Sequence, residues 1–395
     1  MERTYQYYRE VFAGRVMPFA FVDLDLFDQN IRDIAVRAGK RTIRIASKSV
    51  RSIPLLERIL DANPIYRGIM AYSVREAVFL SQQGFDDILV AYPALREADD
   101  MAFAEELRRG KRIVLMVDCA EHVQFLEKVG GVFRVFIPVC IDIDMSTQFP
   151  GLYFGVRRSP ITTPEQALAV CREIKESKYV RLHGLMGYEA QIAGLPDNVP
   201  GGGLKNAVVR YLKQRSLMKV RARRARIVEA VKNAGFDLGF VNGGGTGSVE
   251  STASESCITE VTVGSGFFSP LLFDWYQGFH HSPAVGYAIE ITRKPCPNIY
   301  TCHGGGYVAS GTGKEKQPRP YLPKGARLLS TEGAGEVQTP VVCDGPESLN
   351  LGDPIFMRYS KAGEMCERFN VLLAVSEGKV VDEIPTYRGE GQVFL

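Results

Sequence analysis

A chain of 395 residues with 48 basic and 45 acidic side chains carries a net charge of +3, which gives no footing to nucleic acid or an anionic membrane as a partner. Hydrophobic residues at 45% and charged residues at 24% belong to an ordinary globular protein, large enough for two or three domains. The opening Met1-Glu2-Arg3-Thr4-Tyr5 is polar, and no run approaches the roughly 20 apolar residues of a membrane-spanning helix, so a cytoplasmic protein is expected.

Residues 19–24 form the first strand-like run, and Asp23 and Asp25 read as caps of the helical spacing that follows. Eight β-rich runs then recur at 42–46, 68–72, 87–92, 112–118, 133–142, 181–188, 240–242 and 259–263. Amphipathic stretches at 75–83, 97–108, 163–178 and 217–234 lie between them. This alternation suggests a parallel (β/α)8 TIM-type barrel, with a doubly wound open sheet as the alternative. Beyond about residue 280 helical spacing nearly vanishes. Runs at 285–293, 298–303, 327–331, 354–360 and 370–375 read as strands, and Glu377-Gly378 reads as a hairpin turn into 379–383. The Gly-, Pro- and charge-rich stretch 311–324 reads as a loop. We therefore expect a barrel over 1–280 and a mostly antiparallel β domain over 281–395, with residues 1–24 packing against the latter.

Lys48 directly follows the first of the eight runs, in Ile45-Ala46-Ser47-Lys48-Ser49. Strand carboxyl ends hold the chemistry of α/β folds. A lysine amine there is the usual partner of a carbonyl cofactor; a solvated lysine opening a helix is the structural alternative. The seventh run leads into Asn242-Gly243-Gly244-Gly245-Thr246-Gly247-Ser248 and the eighth into Gly264-Ser265-Gly266. Both loops suit an anion, through close backbone approach and hydroxyl donors. Neither has Walker or dinucleotide spacing, which favours a compact phosphate ester over a nucleotide. A lysine and a phosphate cradle in one barrel mouth fit pyridoxal 5'-phosphate (PLP), or a Schiff-base aldolase acting on a sugar phosphate.

The sixth run ends in Gly187-Tyr188-Glu189-Ala190-Gln191, where Tyr188 and Gln191 could meet cofactor or substrate. Core packing is the alternative for Tyr188, and alternation turns Glu189 away from it. Residues 192–205, with Pro196, Pro200 and the run Gly201-Gly202-Gly203, are long for a barrel loop and read as a lid. Arg221, Arg223, Arg224 and Arg226 read as the solvated face of an outer helix. Phe133, Val135 and Val139 mark a buried fifth strand ending at Asp142 and Asp144. Arg157 and Arg158 follow as their ion partners or as ligands for a substrate carboxylate. The eight cysteines include no CxxC pair and read as reduced structural thiols. The five histidines show no HExxH or HxH spacing, so no metal site is expected.

These motifs carry a family resemblance. The segments are Val22-Asp23-Leu24-Asp25, Ala46-Ser47-Lys48-Ser49-Val50-Arg51, Gly187 to Gly194, Asn242 to Ser248, Glu332 to Thr339 and Lys361-Ala362-Gly363-Glu364. With them the chain resembles fold-type III PLP enzymes, which have an alanine-racemase-like barrel. Within those it is similar to the D-threonine aldolase and D-serine dehydratase branch, in particular bacterial amino acid deaminase/aldolase proteins. The resemblance implies Lys48 as the Schiff-base lysine, Gly244, Gly245, Thr246, Gly264 and Ser265 around the phosphate, and Tyr188 near the pyridine ring. It also implies a homodimer whose β domain helps close the partner's site. The chain departs from the branch in two places. Where the metal-dependent members place a His-x-Cys or His-x-Asp pair, this chain has Arg358-Tyr359-Ser360-Lys361, poor ligands for a divalent ion. And the arginine that meets the cofactor's phenolic oxygen aligns with Tyr153, leaving Arg157 as a substitute.

The resemblance thus implies a PLP-dependent lyase acting on a D-configured β-hydroxy amino acid, by retro-aldol cleavage or by dehydration and deamination. Tyr359, Lys361 and His303 are candidates for proton transfer at the hydroxyl, and Lys48 at Cα. An amino acid racemase on the same fold and a non-catalytic PLP-binding protein are the competing readings.

Overall fold

The structure, a computed structural model, describes residues 3–95, 100–311, 313–361 and 363–394. The start of the helix expected at 97–108 lies outside the described residues, and its described part is Asp100–Arg108. Thr312 of the glycine-rich loop and Ala362 of the Lys361 motif also lie outside them. The chain divides into two compact units. One comprises Ala35–Ser47, Glu57–Gly264 and Phe394–Leu395; the other comprises Met1–Ile34, Lys48–Leu56 and Ser265–Val393.

In the first unit eight parallel strands close into a barrel. They are Thr42–Ala46, Tyr66–Ala71, Ile88–Pro93, Ile113–Val117, Ile137–Asp142, Val180–Gly187, Phe240–Gly243 and Glu260–Val263. The eighth pairs with the first, Val263 opposite Ile45, which removes the open-sheet alternative. Strands covered on both faces read as unbroken apolar runs, as in the fully buried Ile113–Val117. Leu89, Val114, Met116, Cys140, Met186 and Phe240, from five strands, meet in one cluster, so they face the barrel interior. A buried polar layer shares that interior. Arg44 bridges Glu260 and Asp87 at 2.7 and 3.0 Å, and Asn242 donates to Glu260 and Thr262.

The fifth strand starts at Ile137, not at Phe133. Phe133 closes the helix Ala120–Phe133, whose Val123, Leu126, Val129 and Gly130 are buried at helical spacing. Arg134 ends that helix in the left-handed region (φ 54°), its N–H donating to the Gly130 carbonyl. A second correction concerns the basic stretch. It belongs to one 31-residue helix, Gly203–Asn233, on which Arg224 is fully buried. Arg223 is half-buried and donates to the carbonyls of Asp144 and Ser146, while Arg221 and Arg226 are exposed as expected.

The second unit is built on a nine-stranded, mostly antiparallel sheet. Phe19–Asp23 lies inside it, antiparallel to Val285–Cys296 and parallel to Val371–Ser376. Asp23 caps the following helix through the Leu26 N–H and binds Arg3 and Tyr8. Val371–Ser376 and Lys379–Pro385 form a hairpin. Glu377 and Gly378 both have positive φ, 49° and 78°, the backbone that a two-residue type I′ turn requires. Among the described residues no helix is long and apolar enough to cross a membrane.

Candidate active site

Strand alternation sets out the carboxyl end of the barrel. Side chains two residues beyond an interior position face inward again. Leu89, Met116, Cys140 and Met186 are interior, so Ala91, Asp118, Asp142 and Tyr188 are their inward successors where the strands end. Asp142 is buried, which pushes its pKa up to about 7 against the pull of Arg158. Tyr188 is half-buried, and burial pushes its hydroxyl up to about 12, so it stays protonated at neutral pH.

Tyr188 leans on the loop that follows the seventh strand. A methyl group at Gly245 would come within 2.8 Å of Ala193 Cβ and 3.1 Å of the Tyr188 ring, so only glycine fits there. The loop is anchored from below by Glu189. Its buried carboxylate accepts from the Gly244 N–H (3.2 Å), Ser248 Oγ (2.7 Å) and Thr252 Oγ1, and pairs with Arg224 at 2.7 Å. Glu255 holds the other side of that guanidinium at 2.5 Å. The expected anion-facing N–H groups of this loop are spent internally. Besides Gly244, the Gly245 N–H donates to Ser248 Oγ, the Gly247 N–H to the Ala193 carbonyl and the Ser248 N–H to the Gly245 carbonyl. The loop therefore offers surface and shape rather than a row of open donors at these positions.

In the other unit, Lys48 sits in the 3-10 turn Ser47–Ser49 that follows the first barrel strand. The Arg51 side chain donates to the Lys48 carbonyl at 2.9 Å and pairs with Glu367. Arg51 itself has φ 51°, an uncommon backbone for a residue with a side chain, held by the bond from the Tyr387 N–H to its carbonyl. A methyl group at Gly363 would come within 2.7 Å of the Lys48 carbonyl oxygen, so the turn after Lys361 packs directly on the Lys48 backbone. Ser49 Oγ lies 3.3 Å from Ser265 Oγ.

The family model for the alanine racemase N-terminal domain matches residues 22–270. The chain belongs to that family. Its members share the fold-type III PLP architecture. The chain is 21% identical over 253 residues to 3-hydroxy-D-aspartate aldolase of Paracoccus denitrificans (strain Pd 1222), covering 64% of this chain and 60% of that protein. It is 23% identical over 294 residues to D-threonine aldolase of an Arthrobacter species, covering 71% of this chain and 69% of that one. D-threonine aldolase from Filomicrobium marinum superposes with a TM-score of 0.82 at 18% identity, covering 96% of both chains. D-threo-3-hydroxyaspartate dehydratase from Delftia sp. HT23 gives 0.78 at 19% identity over 94% of this chain and 98% of that one.

Several side chains fit the cofactor of the alanine racemase family. Within the barrel unit Gly245 and Tyr188 form a cradle that a Cβ would fill. Within the other unit, taken by itself, Lys48 is held in a braced turn and the Ser49 and Ser265 hydroxyls lie 3.3 Å apart. The Tyr359 hydroxyl is buried with no hydrogen-bond partner among the described residues. Burial holds its pKa well above the ordinary value. Lys361 is half-buried and His303 exposed at the end of Ile299–His303. The Gln191 Nε2 donates to the Met145 carbonyl and to Ser216 of the long helix, while its Oε1 is buried with no hydrogen-bond partner among the described residues. Arg157 lies 4.2 Å over the Tyr153 ring, while its neighbour Arg158 is the one that approaches Asp142 and Tyr188. The sequence reading missed one group that could hold a metal ion. Asp118, Cys119 and His122 bring one ligand atom each within 4.8 Å of one another; the signal was a Cys three residues before a His at a helix start. His122 Nδ1 already lies 3.0 Å from Asp118.

Proposed function

We propose that this chain is a PLP-dependent lyase acting on a D-configured β-hydroxy amino acid, by retro-aldol cleavage or by dehydration. The observation that carries the reading is Lys48, held in a braced turn directly after the first strand of a closed barrel. The seventh and eighth strands of that barrel lead into glycine loops. The relatives with aldolase and dehydratase names support the same class.

When bound, PLP supplies an electron sink that weakens the bonds at the substrate's Cα. The chain's own groups supply binding and proton transfer. Lys48 would hold the cofactor's aldehyde through its amine and would serve as the base at Cα. Tyr188 and Gly245 would face the cofactor ring, and Thr246, Gly264 and Ser265 would hold its phosphate. Tyr359 keeps its proton near neutrality and acts at the β-hydroxyl as a donor rather than a base; Lys361 and His303 are the alternative groups there. Divalent metal in the β domain has no place in this reading, because Tyr359 and Lys361 stand where its ligands would be. A homodimer belongs to the reading and is checked by light scattering.

Purified protein incubated with PLP should show the visible absorbance of a lysine-bound cofactor, and Lys48→Ala should lack it. Incubation with D-threonine, D-serine and D-3-hydroxyaspartate, with and without Mn²⁺, then separates the reactions. Glycine plus an aldehyde or glyoxylate marks an aldolase, and ammonia plus a keto acid a dehydratase. Conversion of D-alanine to its L-isomer without either product would replace the lyase reading with a racemase.

A further inference from the structure

Arg158 is unusual for how little of its hydrogen-bonding capacity is used. It reaches the Ala91 carbonyl on the third barrel strand at 3.1 Å. It lies 5.8 Å over the Tyr188 ring after the sixth strand, and its Nε stands 3.8 Å from Asp142 on the fifth. One guanidinium thus spans three strand ends of the same barrel. Among the described residues one of its five N–H donors makes a hydrogen bond. The approach to Asp142 is too long to be a second. Asp144, two residues on, is by contrast occupied: it accepts from the Ser146 N–H at 2.8 Å and from the Tyr153 hydroxyl at 3.2 Å.

We propose that Arg158 forms a carboxylate-binding subsite in the barrel mouth, pairing its planar fork with a carboxylate of the amino acid substrate while Asp142 stands beside it. A guanidinium matches a carboxylate through two parallel hydrogen bonds. The Tyr188 face orients the cation without consuming its N–H groups, and the Arg158 side chain, 29% exposed, is shielded enough for such a pair to count. Asp142 is a weak competitor. Its nearest approach, 3.8 Å from Arg158 Nε, is too long for a hydrogen bond, and burial pushes its pKa up to about 7 against the pull of that same guanidinium.

The word substrate rests on the lyase reading, so the test separates the two. Malonate and acetate are titrated by calorimetry into the PLP-loaded wild type, Arg158→Gln and Arg158→Lys. The exposed-helix variant Arg226→Gln serves as a charge control. Malonate should bind the wild type and Arg226→Gln alike, and about 10-fold or more weaker in Arg158→Gln, with Arg158→Lys between. Circular dichroism checks folding, and the lysine variant keeps the test alive if the glutamine variant fails. Steady-state rates then distinguish the source of the carboxylate. A KM raised about 10-fold or more in Arg158→Gln for both D-threonine and D-3-hydroxyaspartate assigns the α-carboxylate. A rise for D-3-hydroxyaspartate alone assigns the side-chain carboxylate. Either supports the subsite. Equal malonate affinity in wild type and Arg158→Gln, or no malonate binding by the wild type, overturns it. Malonate binding through Arg158 in a protein that turns over no amino acid would sink the lyase reading and leave the subsite standing.

Discussion

Asp142 shows how burial alone changes what a carboxyl group does. In the folded chain it keeps its proton up to about pH 7, while the unfolded chain releases it near the ordinary value of 3.8. Between those values the folded state holds the extra proton, so stability falls as pH rises through that window and levels off above it. Asp142→Asn mimics the protonated form. It should match the wild type near pH 4 and exceed it by a few kcal/mol, on the order of the shift, at pH 8. Melting temperatures across that range check this; parallel curves for the two proteins would contradict it. Tyr359 makes a different prediction. Because its buried hydroxyl has no partner among the described residues, Tyr359→Phe should hold stability within about 1 kcal/mol or raise it slightly. A loss of about 10-fold or more in kcat at unchanged urea midpoint would mark the hydroxyl as a group used in the reaction. Single residues were unevenly legible in the sequence. Lys48 could be found because a strand pattern ends just before it. Arg158 could not be told from Arg157, because the loop between them and the strand has no periodicity to give direction. Asp118, Cys119 and His122 match no standard metal spacing.

At the scale of elements, barrel strands such as Ile113–Val117 were readable because burial on both faces leaves an apolar run. Their ends were less so. The apolar 133–136 stretch continues the next strand in sequence, and only the left-handed Arg134 cap separates helix from strand. The hairpin Thr147–Phe149 with Leu152–Phe154 is three residues a side, too short for alternation to register. The long helix was read as solvated because basic residues usually are, and Arg224 breaks that rule through partners distant in sequence. Alternation did turn Glu189 away from Tyr188, and the structure shows why that matters. Glu189 ties the helix, the sixth strand and the glycine loop into one node. Glu189→Ala leaves the buried Arg224 with Glu255 alone and should cost about 3–5 kcal/mol. Amide exchange over residues 244–252 should rise well beyond that of the rest of the barrel, and unchanged exchange there would remove the anchoring role. Glu189→Gln keeps the shape and should fall between.

For the whole molecule, the path of the chain decides what can fold alone. Helical spacing stops near residue 280, and the N-terminal strand is the segment expected to pack with the chain beyond that point. The strand Phe19–Asp23 takes its backbone bonds from Val285–Cys296 on one side and Val371–Ser376 on the other. Arg51, three residues past Lys48, depends on Glu367 and Tyr387. A chain cut to residues 1–280 would keep the eight barrel strands but expose both edges of that first strand, and buried Phe19, Phe21 and Val22 would lose their cover. Unpaired edges and exposed apolar surface favour aggregation over folding. It would also release the bracing of the Lys48 turn. The truncated chain should therefore collect in the insoluble fraction or melt without a cooperative transition. Addition of PLP should not restore the lysine-bound absorbance of the full chain. A soluble 1–280 protein with a sharp thermal transition would show instead that the barrel carries its own stability.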